Sequence, residues 1–330
     1  MSEELPEFDA ARDRRERRAA LLGGFGWLLC GPLLVVAALR LVAHDASFEL
    51  IVLNAMTTWL YLPAWLALAI GTGSKRIRLA WASAAVCLLH VVWLQPGSWV
   101  AKQPPPITAT QRFRLMSANL LMVNEDTEGI VSEVLAAHPD LLVVQELSPH
   151  WQARFEASDL KSLFPYRRAI AQDDSFGIGA YSRSAVAIEE LDVFGVPALI
   201  VRSKLGDKQL SVLNFHTLPP RTAAYTVEWN RMMERVRELV RIEQKPLILA
   251  GDLNTTPHAR WYGELVRLSM RGAHEELGRG YAVTWPNGRF PLPPIRLDHF
   301  LVSPGVQVLE IREGEGRGSD HRPLIADFAL

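Results

Sequence analysis

Residues 246–257 read PLILAGDLNTTP, a short apolar run that ends abruptly in polar residues. Leu247–Ala250 contains no charged side chain and is too short for a helix of usual length, so it predicts a buried strand. Asp252 and Asn254 follow at its carboxyl end, directly after Gly251. The stretch therefore predicts a strand that presents a carboxylate and an amide at one edge of a sheet.

Short strands alternate with amphipathic helices over the whole of residues 112–330. Helical spacing of apolar residues occurs in Glu125–His138, Arg221–Ile242 and Pro257–Ser269. The predicted strands are Arg112–Leu121, Leu141–Gln145, Ile178–Ser182, Ala198–Ser203, Gln209–Phe215, Leu247–Ala250, Leu297–Val302, Val306–Arg312 and Leu324–Phe328. Strands and helices mixed in this order predict an α/β domain whose sheet core is covered by helices.

Polar side chains able to bind a cation or move a proton gather at the ends of these strands. They are Asn119, Glu146, His216, Asp252, Asn254, Asp298, Asp320 and His321. Alone, Asp252 is equally well explained as a turn former and His216 better explained as a core histidine, but strands that share an edge would bring all of these residues to one cleft. Oxygen ligands with few imidazoles, in a segment without cysteine, are the composition that selects Mg²⁺ or Mn²⁺ over zinc.

Residues 1–111 differ in composition from the rest of the chain. The 330 residues average 49% hydrophobic and 22% charged, with a mean hydropathy of +0.07. Three uncharged stretches of 21, 25 and 23 residues, Ala19–Leu39, Leu50–Ser74 and Leu79–Ala101, raise that average. Each is long enough for a helix that crosses about 30 Å of hydrocarbon, so we expect three transmembrane helices.

The basic residues predict the orientation of these helices in the cell membrane. Five arginines lie between residues 12 and 18, and three more basic residues lie between 75 and 78, whereas residues 44–47 contain none. The positive-inside rule then places the N-terminus in the cytoplasm and the C-terminal part outside it. We expect a cytoplasmic basic tail (1–18), a three-helix anchor (19–101), a Pro-rich linker (102–111) and a catalytic domain (112–330).

The strand-end motifs occur in the order found in one known family. They are MSANL with Asn119, VVQEL with Glu146, GIGAYSR at 177–183, NFHTLPP with His216, AGDLNTTP with Asp252 and Asn254, RLDHFLVS with Asp298, and GSDHRPL with Asp320 and His321. On these motifs the chain resembles the endonuclease/exonuclease/phosphatase superfamily, which includes DNase I, abasic-site endonucleases, neutral sphingomyelinases and inositol-polyphosphate 5-phosphatases. The resemblance implies a four-layer α/β sandwich, here preceded by three transmembrane α-helices.

The resemblance also implies how the site would bind metal and activate water. Glu146, Asn119 and Asp320 would hold Mg²⁺, with Mn²⁺ as the alternative, and the cation would draw charge from the scissile phosphate. Asp252 would orient or deprotonate the attacking water, and Asn254 would donate a hydrogen bond to the phosphate oxygens. The expected activity is metal-dependent hydrolysis of phosphate ester or anhydride bonds.

Two histidines complete the implied set. His321 would face the phosphoryl group, and Asp298 would fix its tautomer and raise its basicity. His216 resembles the second phosphate-facing histidine of the DNase I branch. The abasic endonucleases carry a tyrosine at that position, so the motifs indicate the DNase I and sphingomyelinase branches instead.

The substrate stays open between two classes. Three spans and a short linker favour a phosphate on a lipid, and this layout also resembles the membrane-anchored VanJ-type teicoplanin-resistance proteins of bacteria, for which hydrolysis of lipid-linked pyrophosphates is implied. The alternative is a tethered nuclease, although 25 basic and 28 acidic side chains give residues 112–330 a net charge of −3, which disfavours nucleic acid. A catalytically silent binding module is the second alternative. Nothing in the sequence specifies the oligomeric state.

Overall fold

The structure is a computed structural model that describes residues 6–95, 100–102, 111–243, 246–288 and 291–330, with side chains from residue 12 onward. Its internal contacts divide the chain into two compact units, Met1–Pro96 and Gly97–Leu330. Most of the predicted linker lies outside the described residues, and the division of the chain into four segments stays a prediction.

The first unit consists of helices. They are α1 (Pro6–Ala43), α2 (Phe48–Ala55), α3 (Thr57–Leu60), α4 (Leu62–Gly73) and α5 (Ile77–Leu94). Two of them, α1 and α5, are long and apolar enough to cross a membrane, and α2 with the helical segment Thr57–Gly73 makes a third candidate span if this pair, bent by 73°, is counted as one. The basic segment expected as a separate tail belongs to the same helix as the first apolar stretch.

The bend interrupts the second predicted span, Leu50–Ser74, for local reasons. The Thr57 hydroxyl donates to the carbonyl of Asn54 at 2.5 Å and accepts a hydrogen bond from the Arg40 guanidinium. Such a hydroxyl competes with the hydrogen bonds of the helix backbone. Pro63, in the first turn of α4, has no N–H to continue a preceding helix, so a new helix begins there.

The second unit contains twelve strands and six helices among its described residues. The strands are β1 (Arg112–Asn119), β2 (Leu141–Gln145), β3 (Tyr166–Ile170), β4 (Ile178–Ser182), β5 (Ala187–Val193), β6 (Val196–Leu205), β7 (Lys208–His216), β8 (Leu247–Asp252), β9 (Arg271–Gly272), β10 (Asp298–Val302), β11 (Gln307–Glu313) and β12 (Leu324–Ala329). The helices are α6 (Thr127–Ala137), α7 (Pro149–Glu156), α8 (Leu160–Leu163), α9 (Ala223–Ile242), α10 (Arg260–Arg267) and α11 (Ala273–Glu276).

The strands form two six-stranded mixed sheets. The first has the order β11-β12-β1-β2-β4-β3 and the second the order β5-β6-β7-β8-β10-β9. In each sheet the only parallel neighbours are the two central strands, β1 with β2 and β7 with β8, and all the other described pairs are antiparallel. A helix connects each parallel pair, α6 in the first sheet and α9 in the second.

Alternating side chains of the central strands pack into different layers. Leu141 and Val143 belong to the core between the sheets, whereas Leu142 and Val144 pack among the residues of α6 and α7. Successive residues of a strand point to opposite faces, so a strand buried on both faces is a continuous apolar run. The result is the expected α/β sandwich, in which helices cover two facing sheets.

Candidate active site

One half of the candidate site comes from the second sheet. His216 ends β7 and Asp252 ends β8, and the parallel register places them side by side. Asp298 begins β10 opposite Asp252 in the antiparallel register. The three side chains are almost fully buried, and Nε2 of His216 lies 3.6 Å from Oδ2 of Asp252.

The other half comes from the first sheet. Asn119 ends β1, and Glu146 follows β2 with a left-handed φ of 56° that turns the chain sharply out of the strand. The Asn119 amide donates to Oε1 of Glu146 and to Oδ2 of Asp252, both at 3.1 Å, while Oε2 of Glu146 accepts from the backbone N–H of Met122. Asn119 therefore joins the two halves, one from each sheet.

A buried polar pair beneath the site fixes the two sheets to each other. The amide of Gln145, on β2, donates to Oδ1 of Asn214, on β7, at 2.7 Å. Asn214 in turn donates to the carbonyls of Val144 at 3.2 Å and Gly179 at 3.0 Å. Both side chains have no solvent exposure. Directional hydrogen bonds between buried amides fix the strands that carry them, so this pair helps to set the spacing between Glu146, the residue after Gln145, and His216, two residues after Asn214.

The turn that precedes β12 carries two further site residues. Ser319 donates to the carbonyl of Asn119 at 2.8 Å and accepts from the N–H of His321 at 3.1 Å, which anchors the turn over β1. Oδ2 of Asp320 accepts from the indole N–H of Trp285 at 3.2 Å. Its Oδ1 is buried and has no hydrogen-bond partner among the described residues.

His321 and Asp298 form a close imidazole–carboxylate pair. Nδ1 of His321 lies 2.8 Å from Oδ2 of Asp298, and since a carboxylate only accepts, this nitrogen carries the proton. Burial by itself would lower the pKa of His321, but the Asp298 carboxylate, followed by that of Asp252, raises the pKa to about 10. Nε2 of His321 lies 3.6 Å from Oδ2 of Asp252. The site therefore holds a charged imidazole at neutral pH.

The two buried carboxylates of the second sheet behave differently. Burial raises the pKa of Asp252 to about 6, with His321 opposing and Asp298 adding to the rise. Burial also acts to raise the pKa of Asp298, but the neighbouring His321 outweighs it, so the pKa of Asp298 is lowered. Asp252 can therefore exchange a proton near neutral pH, whereas Asp298 stays ionised.

Asn254 stands at a constrained position beside Asp252. Its φ is 46°, in the left-handed region that asparagine tolerates better than most residues. Its backbone N–H donates to Oδ1 of Asp252 at 2.9 Å, and its amide donates to the carbonyl of Thr217 at 2.8 Å. One amide hydrogen remains for the predicted contact with phosphate.

Two groups of residues could hold a metal ion. Ligand atoms of Asp252, Asp298 and His321 lie within 4.8 Å of one another. However, Asp298 and His321 are already hydrogen-bonded to each other, so this group suits proton transfer. Glu146 and Asp320 instead offer carboxylate oxygens, one of them buried without a partner, which is the donor chemistry that Mg²⁺ and Mn²⁺ require. The donor chemistry of Glu146 and Asp320 suits a hard divalent cation, and their role as its ligands stays a prediction.

Three residues that the sequence analysis did not assign support the site. Gln145 and Asn214 join the sheets, and the hydroxyl of Thr284 accepts from the N–H of Asp298 at 3.2 Å. A buried amide within an apolar strand, such as Gln145 in LLVVQ, was the available signal. Its partner, which is 69 residues away, has no signature in the sequence.

Comparison with known proteins adds a family and a fold. The profile of the Endonuclease/Exonuclease/phosphatase family matches residues 116–321. A humanized D. rerio TDP2 with 14 mutations is 18% identical, with a TM-score of 0.55 over 67% of this chain and 100% of its own. The 3' phosphatase NExo from Neisseria, bound to a product DNA hairpin, is 19% identical, with a TM-score of 0.53 over 66% of this chain and 100% of its own. No curated protein matches the sequence.

Proposed function

Because this chain belongs to the endonuclease/exonuclease/phosphatase family, we propose that it is a phosphohydrolase dependent on Mg²⁺ or Mn²⁺. Its membrane helices would hold it at the outer surface of the cell membrane, where it would cleave lipid-linked phosphates. Family membership makes it a phosphoester hydrolase. The observation that carries the chemistry is the cluster in which Asn119 of the first sheet is hydrogen-bonded to Glu146 and to Asp252 of the second sheet, with Nε2 of His321 3.6 Å from Asp252.

Proton transfer would be carried out by Asp252 and His216 of the second sheet together with His321 from the turn before β12. Asp252, whose pKa of about 6 suits a base near neutral pH, would accept the proton of the attacking water. His321, held in its charged form by Asp298, would donate to a phosphate oxygen through Nε2. Nδ1 of His216 donates to the carbonyl of Ser175 at 2.9 Å, so its Nε2 would also face the phosphate.

The residues of the first sheet would bind the cation. Glu146, Asn119 and Asp320 would be its protein ligands, and the cation would neutralise charge on the phosphate and favour attack by water. Ser319 would keep Asp320 near Asn119 through its hydrogen bond to the carbonyl of that residue.

The membrane side of the proposal rests on the apolar helices that precede the domain. Tethering close to a bilayer gives a lipid headgroup a high effective concentration at the cleft. The net charge of −3 on residues 112–330 argues against a backbone-binding nuclease. The second candidate is nonetheless a tethered nuclease, because solved structures of the same fold include D. rerio TDP2 complexed with a single-strand DNA product.

The proposed orientation puts the N-terminus in the cytoplasm and residues 112–330 outside, as in VanJ-type proteins. A phosphatase reporter fused after Leu330, active only outside the cytoplasm, should be active, and a fluorescent protein that matures only inside should stay dark. The opposite result would exclude an outward-facing active site.

A substrate comparison tests the function directly. The purified full chain with Mg²⁺ or Mn²⁺ would be offered polyprenyl pyrophosphate, sphingomyelin, phosphoinositides, plasmid DNA and RNA, with Asp252→Ala and His321→Ala as inactive controls. Release of phosphate or headgroup from a lipid, absent in both controls, supports the proposal. Plasmid nicking without lipid turnover would favour the nuclease, and inactivity on every substrate without metal binding would favour a silent binding module.

A further inference from the structure

The first unit contains a pocket of about 450 Å³ between α1 and the end of α4. Arg15, Arg18 and Leu22 line one wall, and their spacing of three to four residues places them on a single face of α1. Ile70 and Lys75 lie on the opposite wall. The pocket therefore combines basic residues from two separate segments with an apolar surface.

We propose that this pocket binds the phosphate headgroup of an anionic membrane phospholipid, with Arg15, Arg18 and Lys75 as its cationic contacts. This site is separate from the active site and rests only on the proposed insertion of the helices in a membrane.

The charges around the pocket support an anionic ligand. None of the residues that line it is acidic. Asp13 pairs with Arg17 at 3.0 Å and Glu16 pairs with Arg12 at 3.1 Å, so these acids engage other arginines. Among the described side chains, no carboxylate lies within ion-pair distance of Arg15, Arg18 or Lys75. The three cations are therefore available to an anion that enters the pocket.

The backbone around Lys75 supports a specific role for its side chain. Lys75 follows α4 with a φ of 58°, at the position after a helix end where glycine or asparagine is preferred. The next residue, Arg76, crosses to α1, where its Nε donates to the carbonyl of Ala19 at 3.0 Å. This bond holds the loop against α1. A glycine would form this turn more easily, but the residue at this position is a lysine, and its side chain lines the pocket.

The position of the pocket along the helices favours a lipid over a free anion. The uncharged stretch of α1 begins at Ala19, and that of the α2–α4 segment ends at Ser74, so both boundaries lie at this pocket. Charged headgroups meet hydrocarbon at such boundaries, and basic pockets between helices bind them there. Leu22 and Ile70 would contact the first acyl carbons, a surface that free phosphate does not need.

The test compares two variants of equal charge. Arg18→Gln/Lys75→Gln removes two cations of the pocket, and Arg14→Gln/Arg78→Gln removes two neighbouring cations that do not line it. The full chain would be placed in phosphatidylcholine nanodiscs, and binding of added phosphatidylglycerol would be measured by native mass spectrometry. We expect the pocket variant to lose about thirtyfold in affinity, about fivefold for each cation, and the control variant to change by less than about twofold.

Four other outcomes would overturn the proposal. Equal losses in both variants would show diffuse attraction without a site. Displacement of the lipid by millimolar glycerol phosphate would identify a site for free anions. Extraction of the chain from membranes by alkali would overturn the proposed anchor together with the pocket, whereas an integrated chain that does not prefer phosphatidylglycerol would overturn the pocket alone.

Discussion

Replacing Asp298 by Asn should convert His321 from a charged to a neutral imidazole at the pH of the reaction. The two side chains are buried and joined by a hydrogen bond of 2.8 Å. Burial lowers the pKa of His321, and the Asp298 carboxylate is the largest influence that raises it. An amide of the same shape keeps the packing but removes the negative charge, so burial then dominates.

The size of the effect follows from the pKa of His321. A value of about 10 lies roughly 3.5 units above the ordinary value of about 6.5, which corresponds to about 5 kcal/mol in favour of the charged ring. Loss of the largest favourable contribution should lower the pKa of His321 well below its value of about 10. At pH 8 we therefore expect kcat to fall by up to about 10² to 10⁴, the full contribution of a proton-transferring group, and to recover as the pH is lowered toward 6.5 and the ring regains its proton.

Two measurements check this prediction. The pH dependence of kcat would be compared for the wild type, Asp298→Asn and Glu310→Gln, which removes an exposed carboxylate from β11 as a control. An NMR titration of the His321 ring would give its pKa in each protein. A variant that stays fully active at pH 8, or a His321 pKa that does not move, would refute the role given to Asp298.

Three further predictions concern metal binding, packing and acid stability. Glu146→Gln should weaken Mn²⁺ binding at least about tenfold by calorimetry, because it removes a charged ligand; unchanged binding, with loss in Asp252→Asn, would place the metal in the other group. Asn214→Leu should lower the free energy of unfolding in urea by about 3–5 kcal/mol, since it breaks three buried hydrogen bonds and leaves the Gln145 amide only its 3.3 Å hydrogen bond to Ser117, whereas Gln209→Leu on the exposed face of β7 should change it little. Burial would raise the pKa of Glu275, but the Arg296 guanidinium, hydrogen-bonded to it, lowers the pKa to about 2. This depressed pKa contributes stability that is present above about pH 4.5 and is lost as the pH falls toward 2, roughly 3 kcal/mol in all; Glu275→Gln should remove that part of the acid dependence in circular dichroism.

The sequence predicts the central strands because they are buried on both faces. Leu141–Gln145 and Ile178–Ser182 have the same bounds in the structure as in the prediction. β3 and β5 have no such pattern: they lie at the sheet edges and carry charged, partly exposed side chains, as edge strands commonly do. Whether these segments form strands depends on pairing with a neighbouring strand, and the local apolar pattern carries no information about that pairing.

Local sequence likewise predicts some features of the site and of the helices and not others. Residues at strand ends, such as Asp252, are predictable because their position follows from the strand that they terminate. The Gln145–Asn214 pair depends on how one sheet faces the other, and the contact of Trp285 with Asp320 depends on a long loop. The bend in Leu50–Ser74 requires a hydroxyl, a proline and Arg40 together, none of which alters the uncharged pattern.

The two sheets have the same strand arrangement, a central parallel pair flanked by antiparallel strands, so β1 corresponds to β7 and β2 to β8. Equivalent positions then carry different side chains: Asn119 matches His216, and Gln145, the residue before Glu146, matches Asp252. If both halves carried identical residues, a phosphate could bind in two equivalent orientations. Here the two halves of the cleft carry different side chains. We therefore expect a phosphoester to bind in a single orientation, with its cation on the side of β1 and β2 and the attacking water on the side of β7 and β8.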